Sequence, residues 1–197
     1  MNTQWNAPAP RSGLGGWLDR LIGPGATPVE VGLQVTSAVV GAIAATTYAL
    51  TLPTSWTLWQ LILIGFLGFD IAGGVATNAT SSAKRWYHRS GKSWKDHLAF
   101  VAVHLVHIAL VALLLRAGDG PFFLSVSLYL LIAASIVVSV PLYVQRPVAL
   151  MLYGLALVGD RYLISPTPGL EWFLSFFFLP LLIGHLLREM PYQPPKS

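Results

Sequence analysis

Long apolar runs separated by short polar stretches dominate the chain. A bilayer core of about 30 Å takes about 20 residues of helix, and as few as about 17. Six runs meet that requirement: Val31–Leu52, Trp56–Ala79, Leu98–Leu115, Phe122–Tyr143, Val148–Ile164 and Glu171–Leu187. None alternates strictly between polar and apolar positions, so a β-barrel is not supported. The pattern predicts an all-α polytopic membrane protein, a six-transmembrane-helix bundle over residues 31–189.

The flanks differ. Residues 1–30 form an expected N-terminal tail, rich in Pro, Asn and Ala up to Ser12. Within it, Gly13–Gly23 sets Trp17, Leu18, Leu21 and Ile22 beside Asp19 and Arg20. That segment reads equally as a short helix on the membrane surface or as a loop. Residues 190–197, with three prolines, predict an unstructured C-terminal tail.

Composition narrows the class. The 197 residues are 54% hydrophobic and 10% charged, with a mean hydropathy of +0.62. Soluble domains carry about 25% charged residues. A soluble enzyme, a nucleic-acid-binding domain and a disordered chain are therefore excluded, despite a pI near 9.6. The absence of cysteine removes disulfides, thiolate metal sites and a cysteine nucleophile.

Charge orients the bundle. Lys84, Arg85, Arg89, Lys92 and Lys95 crowd one segment. The positive-inside rule places that segment in the cytoplasm. With six alternating spans, ten of the twelve basic residues then lie inside and only Arg116 and Arg161 outside. Both termini are cytoplasmic in this reading, and the protein is a multi-pass component of the plasma (inner) membrane. Trp56, Trp59 and Trp172 fall at outer ends, and Trp86 and Trp94 at the inner one, where amphipathic rings settle.

Ionisable groups inside hydrocarbon are costly, and mark candidate chemistry. In the second span Asp70, Gly73, Gly74, Thr77, Asn78 and Ser81 share one helical face. As a bland alternative, this stripe is a packing seam. The third span carries His97, His104 and His107 on one face. His104 and His107 are three apart and reach one point. The sixth span adds His185, four residues before Glu189, whose carboxylate is placed to orient the imidazole. Rising 1.5 Å per residue, Asp70 and His107 each lie about 13 Å from the inner boundary and His104 about 9 Å. Asp70, Asn78, His104, His107 and His185 thus form the expected polar pocket in the cytoplasmic half. His104, His107, His185 and Asp70 are the candidate metal ligands. The basic segment, with Lys84, Arg85, Arg89, Lys92 and Lys95 interleaved with Trp86, Tyr87 and Trp94, is expected to hold anionic lipid headgroups. The bilayer is the expected partner, with a homo-oligomer or membrane-complex role open and nucleic acid excluded.

No P-loop, nucleophile elbow, H-E-x-x-H or dinucleotide fingerprint is present. The sequence names no cofactor. Three functional classes follow from the polar pocket. First is a proton-coupled permease or transporter. Second is a membrane-embedded enzyme acting on a lipid or amphiphile at the cytoplasmic leaflet, metal-dependent or not. Third is a haem-binding or non-catalytic subunit of a membrane complex.

Overall fold

The structure, a computed structural model, describes residues 6–191. Residues 1–5 and 192–197, and with them most of the expected C-terminal tail, lie outside the described residues. The described chain is helical throughout, without strands. We number the helices α1 (Gly13–Ile22), α2 (Pro28–Thr51), α3 (Leu58–Ala79), α4 (Ser81–Tyr87), α5 (Trp94–Leu115), α6 (Gly120–Ser139), α7 (Leu142–Leu163) and α8 (Phe173–His185). Five of them, α2, α3, α5, α6 and α7, are long and apolar enough to cross a membrane.

Local signals explain the starts. Thr27 and Glu30 form a capping box at α2, and Thr57 and Gln60 another at α3. Glu30 also takes the Ser82 backbone N–H at 3.0 Å, tying α2 to α4. Asp119 accepts from Phe122 N at 2.9 Å and opens α6. Asp96 accepts from Ser93 N at 2.9 Å, so α5 begins one turn before the expected Leu98. Pro141 caps α7. The helix therefore starts at Leu142 and carries Pro147 within it, earlier than the expected Val148.

The sixth apolar segment departs from the expected span. Only Phe173–His185 is helical there, about 20 Å at 1.5 Å per residue. Most α8 side chains are buried, Phe173, Phe177, Leu181 and Leu182 almost completely, while Phe176 is exposed. A helix apolar all round belongs in the middle of its protein. α8 accordingly sits at the centre, against α3, α6 and α7. Pro180 lacks an N–H, and the helix widens around it, with Leu186 N bonding Leu181 O at 3.2 Å.

The pair α2–α3 is the tightest in the bundle. A methyl group at Gly68 would lie 2.5 Å from Gly41 O and 2.7 Å from Ala45 Cβ. Gly73 meets Ala38 on the same seam, and Ser37 donates to Ala72 O at 2.7 Å. Small residues let the two backbones touch, which drives association where lipid offers no hydrophobic gain. The opposite face of α2 shows Val29, Leu33, Val40 and Ile43 exposed, as a lipid-facing surface requires. α1 forms at Gly13–Ile22, where sequence left helix and loop equal. It exposes Leu14, Trp17 and Leu18, and Tyr87 Oη ties it to α4 by donating to Leu21 O at 3.1 Å.

Candidate functional site

All five histidines of the chain collect in one region, along with Asp70. They form two groups, divided by Phe100.

The first group joins α3 and α5. Asp70 Oδ2 lies 2.8 Å from His107 Nε2. His107 Nδ1 faces His104 O at 3.3 Å. A ring with hydrogens on both nitrogens satisfies both acceptors, and one with a single hydrogen on Nε2 satisfies the shorter bond. The His104 ring stacks beside His107, with centroids 5.4 Å apart. Its Nδ1 lies 2.7 Å from Phe100 O and donates to it, since a carbonyl only accepts. Nε2 of neutral His104 is thereby left with the lone pair. The α5 backbone is irregular here. His104 N and His107 N both bond to the carbonyl three residues back, at 3.1 and 3.0 Å. Such a tightened turn inside a helix often marks a working site.

Asp70 and His104 line a cleft of about 590 Å³ between α1, α2, α3, α5 and α8. Asn78 lines it too. Its Nδ2 donates to Gly74 O at 2.9 Å, and its buried Oδ1 has no protein partner. Thr77 donates to Gln34 Oε1 at 3.2 Å on another wall. No lysine or arginine lines the cleft. Apolar side chains flank the mouth, with Val35, Phe69 and Val103 exposed and Trp17 and Leu18 of α1 across one end. The Asp70 side chain is 45% exposed, the open member of its pair. Beyond that pair, toward the end of the bundle remote from the basic segment, Ile64, Leu67, Ile108, Val111 and Phe173 form a packed apolar layer, all at 2% exposure or less. A further cavity of about 420 Å³ opens beyond it, lined by Val111 and Phe173 together with Arg116, Asp160 and Arg161.

The second group joins α5, α8 and the α4–α5 loop. His97 Nδ1 lies 3.1 Å from His185 Nε2, and His88 Nε2 donates to His185 O at 2.9 Å. His185 stacks on Phe100, centroids 3.8 Å apart, and Phe100 in turn packs on His104 at 4.7 Å. His185, expected in the pocket with His104 and His107, is thus separated from them by an aromatic ring. Its expected link to Glu189 is replaced, because α8 ends at His185 and Glu189 pairs with Arg146 instead. Among the described residues, no group of three or more His, Asp or Glu side chains is placed to hold a metal ion. The candidate ligands His104, His107, Asp70 and His185 are divided accordingly.

The basic segment divides as well. Lys84 is buried, and its Nζ donates to Gly184 O and, at 2.6 Å, to Leu187 O. It closes the carbonyl end of α8, where a cation complements the helix dipole. Burial, with the nearby Arg146 charge, pushes its ammonium down to about 8 against the pull of Glu189. Arg85 is buried too. Arg89 and Lys92 border a second cavity, and exposed Lys95 lies 5.6 Å from the Trp94 ring.

Sequence reasoning missed His88, Phe100 and the role of His97. The available signal was that His97 shares a face with His104 and that His88 precedes it in the same polar stretch. Compared with known proteins, the chain matches no family model, no curated protein and no solved structure.

Proposed function

We propose that this protein is a plasma-membrane enzyme that acts by acid–base chemistry on an amphiphile drawn from the cytoplasmic leaflet. In this reading the basic end faces the cytoplasm, as the positive-inside rule demands. α8 with its apolar flanks completes a sixth crossing, so the chain enters and leaves on the same side. The observation that carries the proposal is a lone-pair nitrogen and a carboxylate lining one apolar-flanked cleft, the carboxylate hydrogen-bonded to His107 behind it. His104 Nε2 is the base, because Nδ1 is committed to Phe100 O. Asp70 lines the same cleft, hydrogen-bonded to His107 at 2.8 Å.

The cleft's chemistry supports a substrate class. It offers acceptors (Asp70, Asn78 and Gln34) and no lysine or arginine. A hydroxyl or amino head suits such a site, and a phosphate does not. The head's proton passes to His104 Nε2, and its electron pair stays on the oxygen or nitrogen that released it. The packed apolar layer that separates the cleft from the cavity beyond it supports a closed-ended reaction site, and for that reason we prefer an enzyme to a proton-coupled permease.

The test is direct. Proteoliposomes made with total membrane lipid are incubated with wild-type, Asp70→Asn or His104→Gln protein, and the lipids are compared by mass. A hydroxyl- or amine-headed species converted by wild type and untouched by both variants supports the reading. Identical lipid profiles in all three samples overturn it.

A further inference from the structure

A second cavity, of about 350 Å³, opens at the basic end between the α4–α5 loop, the first turns of α7 and the chain just past α8. Three cations border it: Arg89 and Lys92 from the loop, and Arg188 from a segment almost 100 residues away in sequence. No Asp or Glu lines it. Three cations around the hollow, with the carboxylate of Asp96 beside Lys92, leave a positive potential there that favours an anion.

Two of the cations are positioned by near neighbours in sequence, Arg89 by Trp86 and Lys92 by Asp96. The Arg89 guanidinium lies 3.5 Å from the centre of the Trp86 ring and donates to Trp86 O. Lys92 is anchored by Asp96 at 2.8 Å. Gln145 of α7 borders the cavity with a buried Oε1 that has no protein partner. Its acceptor suits a ligand that carries a hydrogen beside its charge. The first turn of α7 has no side-chain cap, which adds positive potential on the same side.

We propose that this cavity is a phosphate-binding site. Arg89, Lys92 and Arg188 hold the phosphate oxygens. Gln145 Oε1 accepts from a protonated phosphate oxygen or from a hydroxyl beyond it. The group belongs either to a phospholipid headgroup or to free phosphate. The site shares no residue with the cleft, so it stands or falls separately from the acid–base reading.

The full chain is placed in phosphatidylcholine nanodiscs and titrated with inorganic phosphate by calorimetry. In parallel, discs containing phosphatidylglycerol are analysed by native mass spectrometry for retained lipid. Lys92→Gln and Arg188→Gln are compared with Lys95→Gln, which removes the same charge from the same end but outside the cavity. All three positions are exposed, and thermal midpoints verify folding. We expect the two cavity variants to weaken binding at least ten-fold and Lys95→Gln less than two-fold. Saturable phosphate binding without lipid retention identifies free phosphate. About one phosphatidylglycerol per chain, not displaced by phosphate, identifies the headgroup. Either result sustains the site. Equal losses in all three variants, or no saturable binding of either probe, overturn it.

Discussion

Asp70 Oδ2 and His107 Nε2 meet at 2.8 Å across α3 and α5, from positions 37 residues apart. Asn at position 70 keeps an oxygen acceptor for His107 and removes the charge. We therefore expect Asp70→Asn to insert and fold, with stability within about 1 kcal/mol of wild type, the scale of one hydrogen bond. Conversion of the amphiphile should fall about 100-fold, the scale of losing one electrostatically stabilising group, about 10². A variant that is fully active, with an unchanged pH profile, makes Asp70 purely structural.

The α2–α3 seam makes a steric prediction. Gly68→Val places carbon where Gly41 O and Ala45 Cβ already lie. Overpacking of this kind costs about 1–3 kcal/mol. Gly154 on α7 is the control, because a methyl there meets nothing within 4 Å. Gly154→Ala should be neutral or stabilising by up to about 1 kcal/mol. Thermal midpoints in detergent decide, and equal responses at the two glycines sink the seam.

Much of this was legible in the sequence. Hydropathy gave the helical membrane class and the approximate positions of the five long helices. Helical spacing put His104 and His107 on one face, and depth matched them to Asp70. Three features were not legible. A central helix and a spanning helix are both apolar runs, so α8 was indistinguishable from a lipid-facing span until its burial was known. The capping of α8 by Lys84 depends on carbonyls about 100 residues away, which no spacing rule reaches. The division of the histidines depends on where Phe100 points, a rotamer and packing outcome.

Topology can be mapped cleanly because the chain has no cysteine. Ser90→Cys in the α4–α5 loop and Gly118→Cys in the α5–α6 loop supply single thiols at opposite ends of α5. A membrane-impermeant maleimide added outside intact cells should label Gly118→Cys and leave Ser90→Cys unlabelled until the membrane is opened. The reverse pattern overturns the cytoplasmic placement of the basic end, and with it the leaflet from which the amphiphile is drawn.

The last prediction concerns acid. His88, in the α4–α5 loop, is buried beside His97 and Lys84. Desolvation, followed by those neighbouring groups, pushes its imidazolium down to about 3 from an ordinary 6.5. A group whose folded pKa is depressed binds fewer protons when folded than when unfolded, across the interval between the two values. The neutral ring's stabilisation is therefore complete above pH 6.5 and is lost as pH falls toward 3. For one proton the slope cannot exceed about 1.4 kcal/mol per pH unit. His88→Gln cannot titrate, yet its amide N–H can still donate to His185 O. Other groups titrate in the same range, so the informative quantity is the difference between wild type and variant. Wild type should lose thermal stability more steeply than His88→Gln between pH 6.5 and 4, and the two should run parallel above pH 7. Parallel curves through the whole range mean that His88 is no more costly to protonate in the folded protein than in the unfolded chain.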